Sequence, residues 1–198
     1  MRVAREKPFP YDKGGTVATQ TSQDVVQIIA AQHREIRELF REVTNTGDRP
    51  SESFDQLVRL LAVHETAEEM VVYPALHRLG ADGRRVADAR KAEEDAAKKA
   101  LAELEGLDRD SLQFVQMVNA FSVDVDEHAA NEEAEVLPLL NTMDVDERRT
   151  MARAFLLAEK LAPTHAHRAA PESALGNMLV GPFVAMVDKV RDAIRRGQ

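Results

Sequence analysis

Hydrophobic positions recur along this chain with a helical period, and they predict four long helices. Residues 1–21 mix proline, glycine, threonine and glutamine without periodicity, which is typical of a flexible terminal arm. From Ser22, the predicted N-cap of the first helix, apolar residues recur at alternating intervals of three and four, as one buried helix face requires. The predicted helices span residues 22–45, 51–79, 84–105 and 111–140.

Short loops with helix-breaking residues separate these segments. TGDRPS (46–51) ends the first helix, and Gly80 and Gly83 mark the next turn. GLDRDS (106–111) precedes the fourth helix, and Asp110 or Ser111 is the predicted N-cap of that helix. Pro74 lies inside the second pattern, where it should kink the helix or end its regular part. Because short loops join antiparallel neighbours, the predicted fold class is all-α, an up-down four-helix bundle.

Beyond the bundle, the pattern predicts a C-terminal helical extension. Residues 145–161 form an amphipathic helix, and residues 179–194 form a second one that contains Gly181 and Pro182 near its start. We expect both to pack against the bundle rather than form a second domain. The predicted organisation is an arm, a bundle and an extension, over residues 1–21, 22–141 and 142–198.

Composition narrows the class of protein. The chain has 26 Lys and Arg against 34 Asp and Glu, a formal net charge of −8, which argues against a nucleic-acid or anionic-membrane binder. It has no cysteine, which excludes disulfides, thiolate zinc sites and iron–sulfur clusters. No apolar run approaches the roughly 20 residues of a membrane-spanning helix, and the N-terminal segment has no apolar signal core. We therefore expect a cytoplasmic protein that binds neither nucleic acid nor membrane.

Polar residues interrupt the apolar stripe on three of the four helices. His33 lies on the first stripe, His64 and Glu68 lie on the second, and His128 and Glu132 lie on the fourth. Apolar neighbours three and four residues away place all five side chains on inward faces.

The third helix has no histidine on its stripe. Glu94 precedes Leu101 and Leu104 by the same intervals that separate His33 from the apolar residues of its own helix. Glu94 is therefore the inward candidate, and Asp95, one position off the stripe, is the weaker choice.

An internal repeat relates the two halves of the bundle. HETAEEMVVYPAL (64–76) and HAANEEAEVLPLL (128–140) share the initial His, a Glu-Glu pair four and five positions later, and a Pro and a Leu further on. In each half, a helix with one inward polar residue precedes the repeated segment. Two similar hairpins predict a quasi-two-fold site with matching halves.

Three carboxylates and three imidazoles that face a bundle core are costly to bury without partners. Lys98, one turn from Glu94, is the nearest basic residue on these stripes. A pair of divalent cations would supply the missing positive charge, and mixed imidazole and carboxylate ligands suit iron or manganese, with zinc also compatible. The predicted metal ligands are His33, His64, Glu68, Glu94, His128 and Glu132.

Neighbouring polar residues allow other interpretations. Glu69 and Glu133 rotate away from the stripes and are expected to be solvated, and His77 is expected at the surface. Tyr73 either packs beside the proline kink or places its phenol next to the metal ligands. His165 and His167 lie in a loop that follows Pro163, and they are either exposed or close to the site as a cap or an extra ligand.

The quoted residues resemble a known family. A His on the first helix, HxxxEE followed by YP on the second, and a second HxxxEE on the fourth are similar to the hemerythrin-like (HHE cation-binding) domain over about residues 22–141. The resemblance implies an up-down bundle around two Fe ions with an oxo or hydroxo bridge. It also implies that Glu68 and Glu132 bridge the two ions and that His33, His64 and His128 complete the matching ligands.

The third helix departs from that family pattern. Oxygen-carrying hemerythrins have an HxxxH pair there, whereas this chain has Glu94 and Lys98. A carboxylate in place of imidazoles stabilises the ferric state, so we do not expect reversible O₂ carriage, and the ligand set is closer to that of carboxylate di-iron oxidases.

These expectations leave three functions open. The first is a di-iron protein that reacts with O₂, hydrogen peroxide or nitric oxide, with catalase-like or oxidase activity as an oxidoreductase. The second is a sensing or binding module without turnover, in which a change at the metal ions moves residues 145–198. The third is a purely structural bundle.

Overall fold

A computed structural model of the protein describes residues 23–45 and 50–162. These residues contain no β-strand, and no helix among them is long and apolar enough to span a membrane. The predicted helix over 179–194 and the N-terminal arm lie outside the described residues. The elements are α1 (Val25–Asn45), α2 (Pro50–Ala67), π1 (Glu68–Val72), α3 (Tyr73–Arg78), α4 (Ala81–Leu104), α5 (Leu112–Asn131), π2 (Glu132–Val136), α6 (Leu137–Asn141) and α7 (Val145–Leu161).

Four bundle helices are assembled from these elements. The first is α1, the second runs continuously through α2, π1 and α3, the third is α4, and the fourth runs through α5, π2 and α6. Each packs against the next along the chain, and α1 also packs against α5, which closes the ring. The all-α bundle predicted from the sequence is confirmed.

Side chains of the chain itself cap the first and fourth bundle helices. The first begins at Val25, where Asp24 Oδ1 accepts a hydrogen bond from the Gln27 amide and Gln27 Oε1 accepts one from the Asp24 amide. This reciprocal pair replaces the cap predicted at Ser22, which lies outside the described residues. The hydroxyl of Ser111 accepts from the Phe114 amide and caps the fourth helix as the sequence predicts.

Two π-helical turns occupy matching positions of the repeat. The amide of Tyr73 donates to the carbonyl of Glu68, and the amide of Leu137 donates to the carbonyl of Glu132. Pro74 lies two residues after the first of these turns, in the first turn of α3, where its missing amide hydrogen is tolerated. The regular part of the second helix therefore ends before the proline, but the helix itself continues.

The third bundle helix begins at Ala81, earlier than the predicted residue 84. Gly80, with a φ of 101°, makes the turn in the left-handed region that favours glycine. Gly83 lies inside this helix, and only glycine fits there because a Cβ would lie 2.1 Å from the Leu76 carbonyl oxygen. Glycine thus allows the start of α4 to lie directly against the end of α3.

Two apolar layers enclose a polar layer in the middle of the bundle. One layer contains Ile29, Leu76 and Leu140, and the other contains Ile36 and Phe121. The inward histidines and glutamates lie between these layers along each helix. The layers therefore shield the polar side chains from solvent at both ends.

The helix predicted over residues 145–161 is present as α7. It packs against α1, α2 and π1, outside the ring of four bundle helices. Met151, Phe155 and Ala158 are buried in this contact. The ring of Phe155 packs edge-on against that of His64, with centroids 6.2 Å apart.

Candidate metal centre

The six residues predicted as metal ligands lie together in the polar layer. They form two groups of four, and within each group the possible ligand atoms all lie within 4.8 Å of one another. Glu68 and Glu132 belong to both groups. The first group adds His33 and His64, and the second adds Glu94 and His128.

The acidic members of both groups are completely buried. Glu68, Glu94 and Glu132 each have 0% exposed surface, and His33 and His64 are nearly as enclosed. His128 is partly buried, with 13% of its side chain exposed. Such a concentration of acidic groups in an apolar bundle requires compensating positive charge or protons.

Several side-chain atoms that face the centre have no hydrogen-bond partner in the described part of the chain. The nitrogen His33 Nε2 lies 3.2 Å from Glu132 Oε2, His64 Nε2 lies 3.4 Å from Glu68 Oε2, and His128 Nε2 lies 3.6 Å from Glu132 Oε2. Convergent lone pairs left without donors are what a bound cation satisfies, so the residues fit two metal ions that share Glu68 and Glu132. Among the candidate ligands, the unpartnered buried atoms are His33 Nε2, both oxygens of Glu68, Glu94 Oε2, His128 Nε2 and Glu132 Oε2.

Acceptors outside the centre fix the other nitrogen of each histidine. The distance from Nδ1 to the acceptor oxygen is 3.0 Å for His33 and Glu133, 2.8 Å for His128 and Glu93, and 2.7 Å for His64 and Gln32. Because each partner accepts, each Nδ1 carries the hydrogen and each Nε2 presents a lone pair to the centre.

Glu133 is exposed to solvent as expected, with 39% of its side chain accessible, whereas Glu69 is partly buried, with 25% accessible. Glu133 accepts from Arg37 at 2.9 Å as well as from His33, and Glu69 accepts from Lys98. Their positions off the apolar stripe leave both in contact with water and also within reach of neighbouring helices.

Sequence reasoning missed two other acceptors. Gln32 and Glu93 stand next to the candidate ligands His33 and Glu94 in the sequence, but each binds a histidine of a different helix. Their polar character beside a candidate ligand is the available signal. The pairing itself depends on how the helices pack.

Tyr73 contacts the centre through its hydroxyl. The buried hydroxyl donates to Glu94 Oε1, and its oxygen lies 3.1 Å from Glu132 Oε1. Burial and the charges of Glu68, Glu132 and Glu94 raise the pKa of the phenol, so it stays protonated. Of the two interpretations of Tyr73, the structure places its phenol beside the candidate ligands.

Basic groups lie closer to the centre than the sequence suggested. The Lys98 ammonium is 3.5 Å from Glu94 Oε2 and 4.0 Å from Glu65 Oε2. Burial alone would lower the pKa of Lys98, but the charge of Glu65 and the hydrogen bond to Glu69 raise it, so the ammonium stays charged. Arg90, buried on the same helix, lies 2.9 Å from Glu93 Oε1 and supports the partner of His128.

Burial and mutual repulsion distribute protons unevenly among the candidate ligands. Burial and the charge of Glu65 raise the pKa of Glu94 to about 10, and burial with the charges of Glu132 and Glu94 raises the pKa of Glu68 well above its ordinary value. Burial also favours the neutral form of Glu132, but contact with His33 and the neighbouring imidazoles lowers its pKa to about 2. Without metal, Glu68 and Glu94 therefore hold protons at neutral pH.

A small cavity of about 20 Å³ adjoins the three histidines. This space exceeds the roughly 10–15 Å³ that one water molecule needs, but it excludes any larger organic molecule. Glu65 contributes one acidic side chain to the wall, and burial raises its pKa to about 8. The rest of the wall is apolar, formed by Ile36, Leu61, Ala97, Val125 and Ala129.

His77 and the two loop histidines do not extend this cluster. His77 is half-exposed and lies 3.3 Å from Asp88 Oδ1 at the surface, as predicted. His165 and His167 lie outside the described residues, so their roles stay predictions.

Fold and site together define a cation-binding four-helix bundle. The family model of the hemerythrin HHE cation-binding domain matches residues 24–140, and the chain belongs to this family. The chain is 27% identical over 168 residues to an uncharacterised hemerythrin-like protein of Schizosaccharomyces pombe, with 83% of each chain covered.

A solved structure has the same fold. It is the crystal structure of a hemerythrin HHE cation-binding domain-containing protein from Mycobacterium kansasii. The TM-score is 0.55 at 18% identity, and the match covers 84% of this chain and 98% of the other. The family recognised from the HxxxEE repeat is confirmed.

Proposed function

We propose that the protein is a non-haem di-iron protein that reacts with O₂, hydrogen peroxide or nitric oxide. The observation that carries this proposal is the pair of overlapping ligand groups, which share the fully buried Glu68 and Glu132. A carboxylate has two oxygens, so each shared residue has the atoms to bridge two ions. Imidazole and carboxylate ligands without sulfur suit iron, and manganese or zinc would compete for the same atoms.

The residues around the cluster would hold and insulate such a centre. Iron bound here would supply the redox chemistry, as is general for metal-dependent oxidation. The apolar layers exclude bulk water, and Tyr73 holds a protonated phenol beside Glu94 and Glu132. These features support chemistry on a molecule that reaches the ions without solvent competition.

Cavity size supports a small partner molecule. The space beside the histidines accommodates about one water-sized or diatomic molecule, and its wall provides one carboxyl group, from Glu65, for hydrogen bonding. This favours O₂, peroxide or nitric oxide over an organic substrate.

The balance of ligands favours redox turnover over reversible oxygen carriage. The two ligand groups contain three carboxylates. One of them, Glu94, adds a negative charge that an imidazole at the same position would not add. Negative ligands stabilise the more positive oxidation state of a metal and lower its reduction potential. Such a potential favours oxidase or catalase-like activity over reversible oxygen binding.

Metal content and turnover test this proposal. Protein purified in air should contain two irons per chain and show a charge-transfer band in its optical spectrum. Iron-loaded protein should then consume hydrogen peroxide faster than the metal-free protein does at the same concentration. A chain that binds no more than one metal ion, or that binds only a non-redox ion when iron is supplied, would overturn the proposal.

A specific contact supports the second candidate function, a sensing module without turnover. The Phe155 ring of α7 packs on the His64 ring, which gives a change at this histidine a direct contact through which to move a helix outside the bundle. Tight nitric oxide binding by the reduced protein, with no peroxide consumption, would favour sensing over catalysis.

A further inference from the structure

The three histidines differ in what lies behind their outer nitrogen. His33 donates to Glu133, which also accepts from Arg37, and the partner of His128 is likewise a carboxylate backed by an arginine. His64 instead donates to the neutral amide of Gln32, which is 5% exposed. The support of His64 must therefore come from a different source.

That source is α7, the helix that packs outside the four bundle helices. The amide nitrogen of Gln32 donates to Glu159 Oε1, so a hydrogen-bond chain joins Glu159, Gln32 and His64 across three helices. The family match ends at residue 140, before α7 begins. This support comes from outside the family's matched segment.

The charge of Glu159 determines how the amide is oriented. Above its pKa of about 7, Glu159 is a carboxylate that accepts hydrogen bonds only, so it selects the NH₂ end of Gln32 and turns the amide oxygen toward His64. An oxygen at that position requires hydrogen on Nδ1 of the histidine. The lone pair of Nε2 then faces the centre.

Phe155 provides a second contact from the same face of α7. It lies one helical turn before Glu159, and its ring meets the His64 ring at 6.2 Å with an interplanar angle of 70°. Helix α7 thus fixes both the ring and the outer nitrogen of one candidate ligand.

We propose that Glu159 is a positioning residue for His64, acting through Gln32, and that α7 is an integral part of the metal centre. The inference rests on the proposed metal-binding function. His64 belongs only to the group that also contains His33, so the effect should be confined to one of the two ions.

A merely structural role of Glu159 would consist of joining α7 to α1. Arg148 provides the matched control, because its Nε donates to Asp24 Oδ2 at 3.1 Å and joins the same two helices away from the histidines. The side chains of Arg148 and Asp24 are each 15% exposed, so this ion pair is also largely buried. Arg148→Gln should therefore weaken α7 docking without changing His64.

The first measurement uses metal-free protein at a pH well above the pKa of about 7 of Glu159, so that this carboxyl group is ionised. Nitrogen-15 NMR should show His64 with hydrogen on Nδ1 in the wild type and in Arg148→Gln, but as a mixture of tautomers in Glu159→Ala and Gln32→Leu. The exchanged pair Gln32→Glu with Glu159→Gln should restore the tautomer, because the inner carboxylate then accepts from both neighbours. An unchanged His64 tautomer in both Glu159→Ala and Gln32→Leu would overturn the inference.

The second measurement is a titration with Co²⁺ in the presence of a competing chelator. Glu159→Ala and Gln32→Leu should weaken binding of one ion about ten-fold to a hundred-fold, and leave the other within about two-fold. The exchanged pair should recover most of this loss, and Arg148→Gln should bind as the wild type does.

Two outcomes of the titration would count against the proposals separately. If Arg148→Gln weakens the same ion as strongly as Glu159→Ala, the link is structural only and the inference is wrong. If the wild type binds no Co²⁺, iron or zinc, the proposed function fails. The NMR experiment on metal-free protein would still decide whether Glu159 positions His64.

Discussion

The candidate ligand histidines use their two nitrogens for different tasks. In His33, His64 and His128, Nδ1 is occupied by an acceptor outside the centre, and Nε2 faces inward. A carboxylate partner makes an imidazole a stronger electron donor than an amide partner does. The two proposed ions are therefore inequivalent, because the group with His64 contains one amide-supported ligand.

Shared and unshared carboxylates should differ in their effect on metal content. Glu132→Gln removes charge from both groups, whereas Glu94→Gln affects one group only. We expect fewer than one ion per chain in the first variant and about one in the second, measured by elemental analysis after purification in air. The exposed residue Glu38 provides the control, and Glu38→Gln should retain two ions. Full metal content in Glu132→Gln would contradict the shared role.

Metal uptake should release protons. Burial and neighbouring charges raise the pKa values of Glu68 and Glu94, the latter to about 10, so both carboxyl groups lose a proton when they bind a cation near pH 7. About two protons should appear per chain, and the apparent affinity should weaken about ten-fold per proton for each unit by which the pH falls. Calorimetry in two buffers with different ionisation enthalpies measures this release, and a buffer-independent heat would contradict it.

At the scale of elements, the π turns explain residues that the helical period does not. In a regular α-helix, residues five apart point to different faces, but the wider π turn brings Tyr73 to the same side as Glu68. It also accounts for the continuous burial of Val71, Val72 and Tyr73. The same turn recurs at Glu132, which carries the repeat of the sequence into three dimensions.

Docking of α7 should depend on pH through Glu159. Burial and the charge of Glu35 raise the pKa of Glu159 to about 7, above that of the unfolded chain. The stabilising contribution of the protonated group is complete below about pH 4.5 and is lost as the pH rises through 7. Between pH 5 and pH 8, the metal-free wild type should lose about 2 kcal/mol of unfolding free energy relative to Glu159→Gln.

Urea denaturation of both metal-free proteins at the two pH values measures this difference. Other buried carboxyl groups titrate in both proteins, so they cancel in the comparison. A constant difference between wild type and Glu159→Gln would show that Glu159 does not titrate in this range.

At the scale of the whole molecule, acidic side chains that repel one another are buried between the two apolar layers. The polar layer buries three glutamates without enough basic groups to neutralise them: Glu68, Glu94 and Glu132. Of these three carboxylates, Lys98 pairs with Glu94. Protons compensate in the metal-free state, and cations would compensate in the loaded state. The fold and the proposed metal content are therefore thermodynamically coupled.

Removal of metal should lower the stability of the bundle without abolishing its helices. A ligand present at about 1,000 times its Kd stabilises the folded state by about 4 kcal/mol, which corresponds to about 10 °C in Tm for a chain of this size. Differential scanning calorimetry before and after chelation measures this shift, with circular dichroism as the check on helix content. An unchanged Tm would favour the purely structural bundle.

The sequence by itself determined the helices and the inward positions of the candidate ligands. Helical periodicity is local, so His64 and Glu68, four residues apart, must share a face wherever the helix lies. The same locality made the HxxxEE repeat legible as a family pattern.

Only the tertiary structure decided which side chains meet across helices. Three of these side chains lie one position off an apolar stripe: Gln32, Glu93 and Glu133. The helical period alone assigns such positions to the edge between the buried and the exposed face of the helix. Their partners depend on the rotation and height of a neighbouring helix, which no local spacing encodes. The link from Glu159 to His64 depends in addition on where α7 docks, because it joins residues that are far apart along the chain and are brought together only by packing.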